Sequence, residues 1–263
     1  GNTNIAFDQL EVFVKKKSNN IYKSTLSLLE VKALQKEKKI SVLKDLKLIV
    51  SKRKKVANID FKSPKIMGVL NVTPDSFSDG GLFFEKIKAY EQANLMIKNG
   101  ATIIDIGAES TRPGSKTVNK KVEWERLEET IKKIKRKFPK IPLSLDTRKS
   151  SIMKNGIKNG VNIINDVSGL KFDKKSFKTI VYKKIPFILN HMQGTPGSMQ
   201  KKPYYEDVLL DIYDFFEKKI NLFLKQGYKK ELLIIDPGIG FGKNLNHNLR
   251  IISKISIFHS LGC

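Results

Sequence analysis

The sequence predicts an α/β fold: parallel strands closed into a barrel of the (β/α)8 type, preceded by a short N-terminal extension. From Pro64 onward, short apolar runs alternate with longer amphipathic segments, the pattern of strands joined by helices. Connections of that length return the chain to the same end of the sheet, so neighbouring strands run parallel with right-handed crossovers. Each strand also ends in a polar residue, and this third observation favours a barrel over an open sheet. Asn71, Asp105, Asp146, Asn165, His191 and Asp236 stand at six successive strand ends. A barrel gathers such ends around one site, whereas an open sheet spreads them along an edge.

Residues 1–62 read as a separate, lysine-rich extension, and residues 63–263 as the barrel. Within the extension, Ile5 to Val14 has room for one short strand, and Leu26 to Ile49 carries apolar residues at roughly helical spacing. Ser51-Lys52-Arg53-Lys54-Lys55 reads as an exposed, solvated connector. The predicted strands are then Ile66–Asn71, Thr102–Ile106, Ile141–Leu145, Asn162–Asn165, Pro186–Asn190 and Leu232–Asp236. Two of the intervening helices show their inner faces: Ile87, Tyr90, Asn94 and Ile97 in one, and Val208, Ile212, Phe215, Phe216 and Phe223 in another.

Composition narrows the function. An apolar content of 40% supports a packed core. The formal charge of +24 invites a nucleic-acid reading, yet only Arg53, Arg112, Arg126, Arg136, Arg148 and Arg250 are arginines, and the rest of the 50 basic residues are lysines. Those lysines are scattered along helical stretches, as on solvated faces, so no nucleic-acid partner is expected. Cys263 is the single cysteine, which fits a reducing compartment. No apolar run approaches the roughly 20 residues that span a bilayer, and a cytoplasmic location without membrane partners is the expectation.

Four constellations carry chemistry. Met67–Gly81 runs from a strand into a loop rich in Pro, Asp, Ser and Gly. Asp105–Gly114 places Arg112 in a short loop of small and acidic residues, where its planar fork suits an anion; an ion pair with Glu109 or Asp105 is the structural alternative. Asp146, Asn165 with Asp166, and Asp236 supply carboxylates and an amide to one barrel face. They suit either a divalent metal or a planar heterocycle whose paired N–H groups a carboxylate accepts. No histidine joins Asp146 and Asp236 at zinc spacing. Asp236–Lys243 resembles a phosphate loop but lacks the Gly-Lys-Ser/Thr ending.

The Asn71–Gly81 string, Glu109-Ser110-Thr111-Arg112-Pro113-Gly114, Asp146-Thr147, Asn165–Gly169, His191-Met192-Gln193-Gly194 and Asp236–Lys243 stand in the order found in dihydropteroate synthases. The resemblance covers residues 64 to about 262. It implies a barrel of the pterin-binding type and a transferase that joins 6-hydroxymethyl-7,8-dihydropterin diphosphate to p-aminobenzoate in folate biosynthesis. It also implies roles residue by residue. Asp146, Asn165 and Asp236 hold the pterin, and Asn71 helps to hold magnesium (Mg2+). Thr111, Arg112 and Phe241 meet p-aminobenzoate and the diphosphate, with Arg112, Asp146 and Asp236 as the catalytic set. The implied partners are these small molecules, and a homodimer is an assembly open to the complete protein.

Two departures from the family pattern stand out. Asn190 occupies a position where many relatives carry methionine. The chain also reaches Leu261-Gly262-Cys263 where the family continues into a seventh strand ending Ser-Arg-Lys and an eighth carrying Arg-x-His. The expectation is therefore a partial sequence with six of eight βα units, inactive by itself. Rival readings are a folate-dependent methyltransferase of the same superfamily, a non-catalytic pterin-binding partner subunit, and a nucleic-acid-binding protein.

Overall fold

The structure is a computed structural model that describes residues 7–15, 21–73, 81–110, 115 and 117–263, without the side chains of residues 81–86. The chain divides into two compact units, one of residues 1–53 with 255–262 and one of residues 54–254 with 263. In the first, β1 (Gln9–Lys15) pairs antiparallel with β2 (Ile21–Ser27). Ser27 caps α1 (Leu28–Ala33) through a reciprocal pair with Glu30, whose amide donates to the Ser27 hydroxyl at 3.2 Å. Helix α2 (Lys36–Val50) follows and buries none of its residues, while Ile255–Leu261 forms 3-10 turns.

Two expectations change here. The residues from Ile21 to Ser27 form a strand that the lysine-rich text did not reveal, so the helical stretch begins only at Leu28. Arg53 is not a solvated linker residue. It is half-buried and donates to the carbonyls of Leu48 (2.8 Å), Ser51 (3.0 Å) and His259 (2.8 Å).

In the second unit the predicted alternation is present throughout. The strands are β3 (Met67–Asn71), β4 (Ile103–Gly107), β5 (Leu143–Asp146), β6 (Ile163–Asp166), β7 (Phe187–Asn190) and β8 (Leu233–Asp236). The helices between and after them are α3 (Gly81–Lys98), α4 (Lys120–Lys137), α5 (Ser150–Lys158), α6 (Lys174–Lys183), α7 (Val208–Lys225) and α8 (Leu245–Ser253). All neighbouring strands pair parallel, in sequence order. Each predicted strand lies within about two residues of its observed position.

One apolar cluster shows that the sheet is curled. Ile103 of β4, Ile163 of β6 and Ile188 of β7 pack together with Met67 of β3 and Ile234 of β8. In a flat sheet the first and sixth strands would lie about 24 Å apart, at about 4.8 Å per strand, beyond side-chain reach. Ile59 and Ala57, just before β3, join this cluster from below, so the interior has an apolar floor. The positions on the opposite strand faces, such as Leu70, Ile104, Ile106, Leu143, Leu145 and Phe187, are buried beneath the helices.

Helix α7 shows how such a face is made. Val208, Ile212, Phe216, Ile220 and Phe223 are buried along one stripe, and Phe223 meets Phe187 of β7 at 5.7 Å between ring centroids. Phe215, expected on that stripe, is only half-buried and instead sets its ring edge-on to His191 at 4.9 Å. Among the described side chains of α3 the fully buried ones are Ala89 and Ala93, whereas Ile87, Tyr90, Asn94 and Ile97 are half-buried. The inner face is thus a line of small residues beside the expected one. Among the described residues, no helix is long and apolar enough to cross a membrane.

Candidate active site

The strand register fixes which side chains share the barrel interior. Asp105 pairs laterally with Ser144, Asp146 with Asn165, and Asn190 with Asp236, so these six point the same way as the isoleucines of the floor. Two residues up the strands from Ile103, Ile163, Ile188 and Ile234 the interior turns from apolar to polar, at Asp105, Asn165, Asn190 and Asp236. The change coincides with the C-terminal strand ends, where barrel enzymes place their chemistry.

This polar layer has two tiers. Asp146, Asn165 and Asp236 are half-exposed at the top. Beneath or between them Asp105 and Asn190 are buried, at 5% and 2% exposure. Each buried residue holds an exposed one: Asn165 donates its amide to Asp105 at 2.9 Å, and Asn190 donates to Asp236 at 3.0 Å. The second oxygen of Asp236 accepts the Gly238 amide at 2.8 Å. One oxygen each of Asp105, Asn165 and Asn190 has no hydrogen-bond partner among the described residues. The layer therefore has more acceptors than donors.

Electrostatics point the same way. Burial raises the pKa of Asp146 well above the usual aspartate range, and the charges of Asp105, Asp166 and Glu123 add to the effect against the opposing Arg148. Burial raises Asp105 too, with a contribution from Asp236, although the neighbouring Ser144 hydroxyl and the Asn165 amide oppose the shift. Crowded carboxylates of this kind are short of positive partners. A ligand that brings N–H donors relieves them.

A second buried cluster lies beside the strand ends. Glu109 accepts from Arg148 at 2.9 Å, from Lys149 at 2.9 Å and from the Val118 amide at 2.9 Å. Glu123, fully buried, accepts from Thr147 at 2.6 Å and from Lys149. Burial works against ionisation of Glu109, yet Lys149, the Val118 amide and Arg148 hold its carboxyl below the usual range. Two anions and two cations thus fix the residues that follow Asp146 to Glu109 after β4 and to Glu123 in α4.

Of the expected site residues, Asp146, Asn165 and Asp236 come together in the polar layer. Asn71 ends β3, is exposed, and pairs laterally with Gly107, across which lies Asp146. Phe241 is half-buried in the loop after β8, with its amide bonded to the Gly238 carbonyl at 3.0 Å. Thr111 and Arg112 lie outside the described residues. His191 is buried and packs on Phe215, and burial together with Lys243 and Lys171 lowers its pKa to about 3, so it stays neutral. Asp105 and Asn190 hold Asn165 and Asp236 in place, contacts that the sequence reading did not assign. The sole hint for Asp105 was its place at a strand end, and for Asn190 its departure from the family residue.

No group of three or more His, Cys, Asp or Glu residues among those described is placed to hold a metal ion. Magnesium often takes only one or two protein oxygens, with the rest from water and phosphate. The exposed Asn71 amide is compatible with that kind of site.

Comparison with known proteins agrees with this geometry. Residues 67–263 match the family model described as pterin binding enzyme. The dihydropteroate synthase of Escherichia coli K12 is 42% identical over 202 residues, covering 77% of this chain and 71% of that protein. The Yersinia pestis dihydropteroate synthase, solved with a sulfonamide drug complex, superposes with a TM-score of 0.71 at 40% identity, covering 76% of this chain and 72% of that one. The Xanthomonas albilineans enzyme, solved with 4-aminobenzoic acid, gives a TM-score of 0.70 at 33% identity, over 78% and 73% of the two chains. With its six-stranded curled sheet, its acceptor-rich strand ends and these relatives, the chain belongs to the pterin binding enzymes, in the group formed by the dihydropteroate synthases.

Proposed function

We infer that the polar layer at the strand ends is the seat of the dihydropteroate synthase reaction in this chain. The amine of p-aminobenzoate attacks the exocyclic methylene of 6-hydroxymethyl-7,8-dihydropterin diphosphate. A C–N bond forms, the C–O bond to diphosphate breaks, the amine loses a proton, and 7,8-dihydropteroate results. The relative solved with 4-aminobenzoic acid supports that half of the substrate pair.

The observation that carries the assignment is the acceptor surplus of the polar layer as a whole, where Asp105, Asn165 and Asn190 each keep an oxygen without a partner among the described residues. A pterin presents an amino group and ring N–H groups along one edge, and the half-exposed Asp146, Asn165 and Asp236 present carbonyl and carboxylate oxygens to such an edge from three strands. Asp105 and Asn190 keep Asn165 and Asp236 oriented, so little reorganisation accompanies binding. Because the departing diphosphate leaves positive charge on the ring-bearing carbon, carboxylates around the ring favour the transition state more than the ground state. Asn71 would offer an amide oxygen to Mg2+, which would offset charge on the diphosphate. Thr111, Arg112 and Phe241 complete the p-aminobenzoate and diphosphate side, where the Arg112 fork is suited to an anion.

The test is calorimetry of pterin and of p-aminobenzoate binding to the chain. The reading expects measurable pterin binding to the parent chain and its loss in Asp146→Asn. A parent chain that binds p-aminobenzoate but no pterin contradicts it.

A further inference from the structure

Beside the substrate layer, the loops after β7 and β8 are locked together by one buried amine. Lys243 is 2% exposed, yet its Nζ reaches three polar atoms on two loops. It contacts His191 Nδ1 at 3.1 Å, donates to the His191 carbonyl at 3.2 Å and donates to the Phe241 carbonyl at 3.0 Å. The backbones meet so closely here that side chains are excluded. A Cβ on Gly238 would stand 2.1 Å from the His191 carbonyl oxygen, and one on Gly242 would stand 2.6 Å from that of Gln193. Both glycines also have φ of +66°, a conformation that other residues adopt at a cost. Tyr205 adds an outer tie, its hydroxyl donating to the Gly242 carbonyl at 2.8 Å.

We propose that Lys243 is a positioning residue that fixes Phe241 against the substrates by clasping the loop after β8 to the loop after β7. This rests on the functional reading above but goes beyond it, since Lys243 faces the loops' backbones and not the barrel interior. A lysine costs much to bury, and the amine is held in spite of that. Burial lowers its pKa to about 7, with Lys171 adding to the effect and Asp236 opposing it. Both protonation states keep the three contacts. The ammonium donates to all of them, and the neutral amine donates to the two carbonyls and accepts from His191 as its Nδ1–H tautomer. Asp236 is anchored separately, by Asn190 and the Gly238 amide, so the clasp acts first on Phe241.

That division gives the test. In Lys243→Met, p-aminobenzoate affinity, measured by calorimetry with pterin and diphosphate present, should fall tenfold or more. Pterin affinity should change less than threefold, because Asp146 and Asn165 are untouched and Asp236 keeps its bonds from Asn190 and the Gly238 amide. Hydrogen exchange should quicken at least tenfold at the amides of Gly240 to Lys243, while the Gly238 amide, bonded to Asp236, and strands β5 and β6 stay protected. Gly242→Ala, which forces the same loop away from Gln193 without removing the amine, should reproduce the split. Equal losses for both ligands, or unchanged exchange across residues 240–243 in both variants, would overturn the proposal. Failure of the parent chain to bind any pterin would instead overturn the functional reading, and the exchange result would still decide the role of Lys243.

Discussion

The lower and upper layers of the barrel interior are built on the same strands, two residues apart, yet they do opposite work. Ile103, Ile163, Ile188 and Ile234 close on Ile59 and Met67 in an apolar floor, whereas Asp105, Asn165, Asn190 and Asp236, one inward position further along the strands, are polar. The floor gains from burial, at roughly 25 cal/mol per Å² of apolar surface. The upper layer opposes folding, since its carboxylates are desolvated and repel one another. The contrast teaches that stability and function are separated along the barrel axis, and that the price of the site is met a few ångströms below it.

The largest effect that sharpens this contrast is on binding. Asp146→Asn and Asp236→Asn should each weaken pterin binding by about 2–4 kcal/mol, as a charge-assisted bond becomes a mismatched amide. The same Asp146→Asn change should raise Tm at neutral pH, because it removes a carboxylate held above its ordinary pKa by burial and like charge. Calorimetry and thermal melts on one preparation check both, and a drop in Tm without loss of affinity would break the separation.

Asn190→Leu comes next. It leaves an Asp236 oxygen without its donor, and pterin binding should weaken by about 1–2 kcal/mol. The matching change in the floor, Ile163→Val, should cost about 0.5–1.5 kcal/mol of stability in denaturant titration, with pterin affinity unchanged. If Ile163→Val altered affinity as much as Asn190→Leu, the two layers would not be separable.

The smallest effect is on pH. Binding needs the carboxylates ionised, and the free Asp105 and Asp146 carry raised pKa values. Pterin affinity should therefore be full above those raised values and decline as pH falls through them, earlier than an ordinary aspartate would allow. Affinity titrations at successive pH values check this, and in Asp146→Asn the remaining pH dependence should be shallower.

Much of the second unit was legible in the sequence because each strand is a short apolar run closed by a polar residue. That same rule exposed Asp146, Asn165 and Asp236. The supporting tier was not legible, since Asp105 reaches a partner 60 residues away and Asn190 one 46 residues away, and neither distance leaves a periodic signal. Alanines hid the inner face of α3 because they add little to an apolar pattern. The β2 strand went unseen for a related reason: Ile21–Ser27 is mostly exposed, so its backbone pairing with β1 and not its side chains makes it a strand.

The inferred seat of the pterin ring is the upper layer, and not the floor or the loops. A crystal structure of the chain with a bound pterin tests it most directly. The prediction is a ring whose N–H edge lies about 2.7–3.2 Å from oxygens of Asp146, Asn165 and Asp236, above an unchanged floor of Ile103, Ile163 and Ile188. A ring bound elsewhere, with those three side chains left as they are without ligand, would contradict it.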